Sequence, residues 1–165
     1  MPSADRRMKQ LLSESDRPMW ILTVSDGRKR SGCLVGFATQ GSIDPPRFLV
    51  CVSRLNHTFG PAMRAQHVAV HAAPAADDDV EELARLFGEE TGDEVDKFGR
   101  CTWHEGPEGQ PVLDATPGWF VGKVVARHDL GDHVGLLLDP VAEHGTLEGA
   151  LSFDEAKDLE AGHPA

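Results

Sequence analysis

Residues 31–56, which read SGCLVGFATQGSIDPPRFLVCVSRLN, decide how this chain folds. They join a glycine-rich segment to the apolar run FLVCV through the loop SIDPP. Gly32, Gly36 and Gly41 lack a Cβ atom, so the chain there can adopt positive φ angles and a ligand can lie close to the main chain. We therefore predict two strands and an irregular loop between them whose backbone amides face a ligand. A bulged or kinked hairpin with ordinary turn residues is the alternative that the residues alone leave open.

Apolar runs of strand length continue on both sides of this stretch. They are rich in β-branched or aromatic residues and are bounded by glycine, proline or acidic turn residues. The predicted strands are residues 19–24, 31–35, 48–52, 68–72, 119–125 and 133–138. Turns at 26–27 and 129–132 make two of their connections hairpins. Amphipathic spacing and capping residues predict short helices at 3–15 and 58–65, from Asp77, and after Ser152.

The order of these elements indicates the fold class. Several strands with glycine and proline turns, short helices and no β-α alternation are typical of a mainly β protein, an antiparallel barrel with helical additions. The 165 residues are enough to bury one core without metal or disulfide staples. Since no repeat or low-complexity linker divides the chain, we predict a single domain over residues 1–165, with the N-terminal helix as a docking arm.

The composition excludes some classes of partner. The chain carries 16 Lys and Arg residues against 27 Asp and Glu residues, a formal net charge of −11. This acidity argues against nucleic acid or an anionic membrane as a partner, and no apolar run approaches membrane-spanning length. The three cysteines are widely spaced and form no C-x-x-C pair. We therefore expect the protein in the reducing cytoplasm.

The histidines and carboxylates do not form a metal-binding pattern. His67 and His71 share one face of a predicted strand, but no third ligand stands at useful spacing for zinc. The acidic run at 77–96 is typical of a solvated helix face and lacks the ligand alternation of a calcium loop. We therefore expect no metal site. His133 begins an apolar strand just after a glycine-aspartate turn, and the residues alone indicate a strand-edge position for it.

Four motifs, in order along the chain, resemble those of the flavin reductase family, the short-chain NAD(P)H:flavin oxidoreductases built on the FMN-binding split barrel. GCLVGFATQGSIDPP at 32–46 is similar to the flavin-binding loop of that family. SRLNHT at 53–58 stands where the family has a polar turn for the flavin phosphate. QPVL at 110–113 resembles its G-x-P-x-L turn, and GDH at 131–133 resembles its Gly-Asp-His strand start. The resemblance covers about residues 17–141.

The resemblance implies a fold and an activity. The fold is a six-stranded antiparallel Greek-key barrel with short flanking helices, its core at about 17–141 and helical arms at both ends. The activity is hydride transfer from NADH or NADPH to bound FMN or FAD, in a homodimer with the flavin near the subunit interface. The reduced flavin would supply a flavin-dependent monooxygenase. Such chemistry asks the protein to align two rings and exclude water rather than to provide a nucleophile.

The resemblance also assigns roles to residues. Amides of the loop would hold the isoalloxazine ring and ribityl chain, the polar turn would surround the phosphate, and His133 would lie beside flavin and nicotinamide. The implied cofactor-binding residues are Val35, Gly36, Phe37, Ala38, Thr39, Ser42, Ser53, Arg54, Asn56, His57 and Thr58. Among them Arg54 is the preferred phosphate partner, because a guanidinium can donate two parallel hydrogen bonds. The N-terminus of the helix at 58–65 would add unpaired amides.

The loop departs from the family pattern. Family members typically carry Thr and Ser where Leu34 and Gly36 stand, an aromatic residue in place of Ala38, and a small residue in place of Phe37. The loop would then hold its ligand through backbone groups and an apolar wall more than through hydroxyls. Other functions stay open: a protein that stores or senses flavin without turnover, an oxidoreductase on this barrel that uses haem or a deazaflavin, and an interaction module without a cofactor.

Overall fold

The computed structural model describes residues 3–74, 78–88 and 96–156. Strands dominate this part of the chain. They are β1 Trp20–Ser25, β2 Arg30–Val35, β3 Ala38–Ser42, β4 Arg47–Ser53, β5 His67–Ala72, β6 Trp103–Glu105, β7 Pro111–Leu113, β8 Gly118–Asp129 and β9 His133–Gly145. The helices are α1 Ala4–Ser13, α2 Phe59–Arg64, α3 Asp78–Gly88 and α4 Phe153–Ala156, with 3₁₀ turns at Lys97–Gly99 and Pro107–Gly109.

Seven strands form one antiparallel sheet in the order β2-β1-β5-β8-β9-β4-β3, and β6 pairs with β7 in a separate sheet. The mainly β, antiparallel fold class is confirmed, although the main sheet has seven strands rather than the six that we expected. The additional strand, β3, is polar and mostly exposed, so it lacks the apolar alternation that marks a half-buried strand. β6 and β7 have three residues each, too few to give a periodic signal.

The side chains of β1 alternate between the two faces of the main sheet. Trp20, Leu22 and Val24 point into a cluster that also receives side chains from β2, β4, β5, β8 and β9. Since β2 and β4 lie near opposite ends of the strand order and still pack into one cluster, the sheet curls around it. The two edges of this barrel are therefore β2 and β3, which are consecutive in the chain.

The outer face of β1 and β2 carries a second apolar cluster. Ile21 packs there with α3, with Leu113 of β7 and with Leu151 near the C-terminus. Gly32 of β2 lies so close to α3 that a Cβ atom on it would stand 2.6 Å from the ring of Phe87. The absence of a side chain at this glycine therefore serves the packing of α3 on the barrel.

The glycines of the stretch at 31–56 do not have the positive φ angles that we expected. The glycines with positive φ are in other turns, and Gly32, Gly36 and Gly41 are not among them. Gly32 lies inside the β2 ladder, where hydrogen bonds require an extended backbone, and Gly41 lies in β3 where its register with β4 shifts between Gln40 and Ser42. The expected loop is thus a second hairpin strand with a short connection, which is closer to the alternative that the residues had left open.

The segment before α4 is part of the second core. Met19 donates its N–H to the carbonyl of Leu151 at 2.7 Å, and Leu151 donates to the carbonyl of Ala73 at 2.8 Å. Ser152 Oγ accepts from the N–H of Glu155 at 3.2 Å, so the predicted helix cap is confirmed. In contrast, α1 buries none of its side chains.

The three cysteines carry free thiols. Cys33 lies fully inside the barrel, and this burial raises its thiol pKa to about 11. Partial burial raises the pKa of Cys51. Burial, with the nearby carboxylates of Asp114 and Asp96, raises the pKa of Cys101 to about 11. All three sulfurs are therefore protonated at neutral pH.

Candidate functional site

Three of the motifs that are distant in sequence meet at one place. Ser53, the last residue of β4, pairs with His133, the first residue of β9. One residue further on, Arg54 donates its N–H to the carbonyl of Asp132 at 2.9 Å. The ring of Phe37, just before β3, lies 5.0 Å from the imidazole of His133 at an angle of 54°. The loop motif, the polar turn and the Gly-Asp-His motif therefore form one site.

The loop motif presents a strand edge at this site. Val35 is buried in the barrel, whereas Phe37 exposes 50% of its surface. Gly36, Ala38 and Ser42 are half-buried, and Thr39 is exposed. Because β3 is the last strand of the sheet, amides and carbonyls on its outer side have no neighbouring strand to pair with. The backbone groups expected at the site thus lie along an open edge that begins at Phe37.

The side chain of Arg54 is bound to the turn between β8 and β9. Its Nε donates to the carbonyl of Gly131 at 2.9 Å, and its Nη2 donates to Oδ1 of Asp129 at 2.7 Å. The hydrogen bond and charge of Arg54, with the Gly131 N–H, hold the pKa of the Asp129 carboxyl below its usual range. The two hydrogen bonds expected toward a phosphate are made to the protein, so Arg54 clamps this turn against β4.

The rest of the polar turn points toward other elements. The side-chain oxygen of Asn56 accepts from the N–H of Thr58 at 2.8 Å. Thr58 is fully buried, and its hydroxyl is 2.8 Å from the hydroxyl of Ser31 on β2. His57 contacts the ammonium group of Lys29 on the β1–β2 hairpin. The Thr58 hydroxyl is therefore a core contact, and only Ser53 and Arg54 of this turn lie directly beside His133.

His133 is oriented by its neighbour in sequence. Its Nδ1 lies 2.7 Å from Oδ1 of Asp132. Nδ1–H donates this hydrogen bond to the carboxylate, which leaves Nε2 as the ring nitrogen that can hydrogen-bond to a ligand. The same contact and the imidazole charge lower the pKa of Asp132. The ring is thus fixed beside Phe37 with one nitrogen available for chemistry.

Two further side chains lie together beside Phe37, the cationic Arg17 and the aromatic Phe153, and the sequence does not predict their position there. The guanidinium carbon of Arg17 lies 5.1 Å from the ring centre of Phe37 and 3.8 Å from that of Phe153. Arg17 also donates from Nε to the carbonyl of Gly36 at 2.7 Å, and its own carbonyl accepts from the N–H of Phe153 at 2.6 Å. This contact joins the two ends of the chain, so no local pattern could indicate it.

A cavity of about 590 Å³ opens beside Arg17, Phe37 and Phe153. Its walls come from α1, from the segment that follows α1, from the connection between β2 and β3, and from the start of α4. The lining residues are Lys9, Leu12, Ser13, Ser15, Arg17, Phe37 and Phe153. None of them is acidic, although the chain has a net charge of −11.

The QPVL motif is on the outer face of the sheet, in the second cluster. The amide of Gln110 exchanges hydrogen bonds with the backbone of Ser25, accepting at 2.8 Å and donating at 3.3 Å. Thr23 Oγ1 donates to the carbonyl of Pro111 at 2.5 Å. This motif therefore ties β7 to β1 and does not contact the site around His133.

His71 connects the same elements. It is fully buried, its Nδ1 donates to the carbonyl of Ile21 at 3.0 Å, and its Nε2 accepts from the N–H of Leu113 at 3.0 Å. Desolvation lowers its pKa to about 4. Both ring nitrogens are engaged by the backbone, so His71 is a neutral structural residue and not a zinc ligand with His67.

Residues 3–74, 78–88 and 96–156 contain neither a cluster of metal-ligating side chains nor a membrane-spanning helix. Within these ranges no group of three or more His, Cys, Asp or Glu side chains is placed to hold a metal ion. Over the same residues, no helix has both the length and the apolar character needed to cross a bilayer.

The groups at the site fit a flavin. An isoalloxazine ring is planar and carries carbonyl and ring-nitrogen acceptors along one side, which the outer amides of β3 can meet. Phe37 offers an exposed flat wall, and His133 adds one polar ring beside it. The arrangement needs no metal and no nucleophilic side chain, as expected where a cofactor supplies the chemistry.

Comparison with known proteins identifies relatives over most of the chain. The family described as "Flavin reductase like domain" matches residues 12–149. FMN reductase (NADH) RutF 2 of Rhizobium rhizogenes is 33% identical over 161 residues, which cover 93% of this chain and 89% of that protein. Stachydrine N-demethylase reductase subunit Stc3 of Rhizobium meliloti is 28% identical over 134 residues, 78% of this chain, and the match spans only 54% of its length.

Solved structures share the fold. A flavin reductase domain protein from Arthrobacter sp. FB24 superposes with a TM-score of 0.80 at 21% identity, covering 98% of this chain and 96% of that chain. Nitrilotriacetate monooxygenase component B from Mycobacterium thermoresistibile superposes with a TM-score of 0.74 at 19% identity, covering 87% of this chain and 77% of that chain. At these identities the likeness concerns the fold alone.

Proposed function

Because this chain belongs to the flavin reductase like domain family, we propose that it is an NAD(P)H-dependent flavin reductase. It binds FMN or FAD and transfers hydride to the flavin from a nicotinamide nucleotide. The name of the relative RutF 2, FMN reductase (NADH), supports FMN as acceptor and NADH as donor.

One observation carries this proposal: the contact between Phe37 and His133 at the open edge of β3. It joins an exposed aromatic wall, a row of unpaired backbone groups and a fixed imidazole in one place. A planar cofactor held there by amides would have one face available for a second planar ring. Alignment of two rings is the main requirement of hydride transfer.

When it is bound, a flavin supplies the ring that accepts hydride. The outer edge of β3, from Ala38 to Ser42, holds the polar side of this ring, and Phe37 shields it from water. Ser53 and Arg54 hold the phosphate end, with Arg54 turning from its carboxylate partner Asp129 when the phosphate is present. His133, oriented by the adjacent carboxylate, presents Nε2 toward the nicotinamide.

The enzyme works as a homodimer and passes reduced flavin to a monooxygenase. Support for the dimer comes from α1, whose apolar residues Met8 and Leu11 are exposed in the single chain and do not line the cavity at Arg17. Support for the partner comes from two similar proteins, one named a reductase subunit of an N-demethylase and one named a monooxygenase component. Three free thiols support a reducing, cytoplasmic setting.

The test is the absorption spectrum of the purified protein with FMN or FAD, before and after NADH and then NADPH are added. We expect a bound flavin spectrum that bleaches with a nucleotide and recovers in air. A bound flavin that neither nucleotide bleaches would indicate storage or sensing and would contradict the reductase. Absence of flavin binding would reject the proposal at its first step.

A further inference from the structure

The cavity beside Arg17 has no role in the flavin site as described above. It shares one wall with that site, because the ring of Phe37 contacts both His133 and Arg17. A molecule with two ring systems joined by a linker can therefore reach His133 with one ring and the cavity with the other. Dinucleotides have this form.

The walls of the cavity select for an aromatic and anionic group. Leu12 and Phe153 give it apolar sides, and Lys9 and Arg17 give it two cations without a lining carboxylate. Its volume of about 590 Å³ is within the usual size of small-ligand sites. Flat heterocycles stack on aromatic and guanidinium planes, and phosphates attract nearby cations.

We propose that this cavity binds the adenosine diphosphate half of the dinucleotide that the enzyme uses, an inference that rests on the proposed flavin reductase function. The adenine ring lies between Leu12 and Phe153. The diphosphate lies near Lys9 and Arg17. FAD and NAD(P)H both carry this half, so the shared chemistry defines the ligand and experiment distinguishes its source.

Lys9 and Arg17 are arranged so that a diphosphate can bind to them. Lys9 makes an exposed i,i+4 ion pair with Asp5 at 3.0 Å, and such pairs are weak enough for a phosphate to compete with them. Arg17 is held through Nε by the carbonyl of Gly36 and through Nη1 by the carbonyl of Ser15, at 2.7 and 3.0 Å. Its plane is therefore fixed before a ligand arrives, which lowers the entropic cost of binding.

Calorimetric titration with ADP tests the cavity without any turnover. We expect ADP to bind the native protein, and Phe153→Ala and Lys9→Gln each to weaken it by about tenfold, the effect of one lost stacking or charge contact. Lys123→Gln removes an exposed lysine from β8, outside the cavity, and should leave ADP affinity unchanged. Since Phe153→Ala could disturb α4, Lys9→Gln on the exposed α1 keeps the test independent of folding.

Steady-state kinetics then identify the source of the ADP half. If it belongs to the flavin, Lys9→Gln raises KM for FAD about tenfold and leaves KM for FMN and NADH unchanged. If it belongs to the nicotinamide nucleotide, the variant raises KM for NADH with either flavin but not KM for reduced nicotinamide mononucleotide. Each of these two results supports the cavity proposal.

Other results overturn it and can be told apart from failure of the reductase function. Native FMN reduction together with absent ADP binding would reject the cavity alone. Absent ADP binding together with a Lys9→Gln protein of altered mass in light scattering would assign this surface to a second copy of the chain. Absent flavin reduction in the native protein would reject the proposed function, whatever ADP does.

Discussion

Arg54 and His133 lie on adjoining turns, and each is held by a carboxylate near the end of β8: Asp129 for Arg54 and Asp132 for His133. The motifs identify both residue types in the right order, because polar turns and glycine-aspartate turns leave local signals. They do not identify the partner of Arg54, which lies on a strand 75 positions further along the chain. The sequence therefore indicates which residues are candidates for the site, and the fold determines which side chains they contact.

Arg54→Ala should weaken FMN binding by about 1.5–3 kcal/mol, the usual value of a hydrogen bond to a charged group. Fluorescence titration of FMN measures the change. Asp129→Asn is the control, since it frees the guanidinium without removing it, and we expect it to bind FMN at least as tightly as the native protein. Equal weakening by both substitutions would show that Arg54 acts only by clamping the turn.

His133→Ala should slow flavin reduction by up to about tenfold at saturating NADH, the effect of one lost hydrogen bond in the reacting complex. FMN affinity should change less than the rate, because the backbone edge and Phe37 hold the ring. Stopped-flow absorbance and a parallel FMN titration separate the two effects. A variant with the native reduction rate would make His133 a structural residue of the strand edge.

At the scale of the elements, the glycine-rich stretch predicts β2, but it predicts neither β3 nor the contact with α3. Residues 31–35 predict β2 well because Cys33 and Val35 alternate into the core. The following strand is missed, since an edge strand with exposed polar side chains gives no periodic signal. Gly32 resembles a loop glycine in sequence, but the structure places it under Phe87 of α3. Its role comes from a contact between elements, which local patterns do not encode.

Gly32→Ala should destabilise the protein by about 1–3 kcal/mol, the usual cost of overpacking a core. The new methyl group would stand 2.6 Å from the Phe87 ring, so either α3 or β2 must move. Chemical denaturation measures the loss. Gly41→Ala is the matched control, because a Cβ there meets nothing closer than 4.0 Å and its φ is not positive; we expect no loss of stability from it, and an equal loss would contradict this account.

For the whole molecule, His71 links the barrel to the small β6–β7 sheet through Ile21 and Leu113. The strand pattern was enough to predict the fold class, and three of the four motifs contain residues that the fold brings together around His133. The cavity at Arg17 was not predictable, because its walls come from both ends of the chain and include Phe153, which the sequence indicates only as part of a capped helix. The same holds for His71, whose hydrogen-bond partners lie on two other strands, β1 and β7.

Acid should destabilise the fold through His71. Its pKa is about 4 in the folded protein against an ordinary value of 6.5, so the unfolded chain takes up the proton first. The contribution of neutral His71 to the free energy of unfolding is about 3 kcal/mol in total. It is complete above about pH 6.5 and is lost as the pH falls toward 4. Urea denaturation at a series of pH values measures it. His71→Gln should remove this slope, whereas His128→Gln, at an exposed position, should retain it; an unchanged slope in the first variant would refute the assignment.

The protonated thiols of Cys33, Cys51 and Cys101 affect how long the proposed flavin reductase would stay active. Reduced flavin that meets oxygen before it meets an acceptor produces hydrogen peroxide, and peroxide attacks thiolates rather than thiols. Because burial raises the pKa of all three sulfurs, the chain presents little thiolate at neutral pH. A chain that carries out the proposed flavin reduction would therefore resist inactivation by the peroxide that forms when reduced flavin reacts with oxygen.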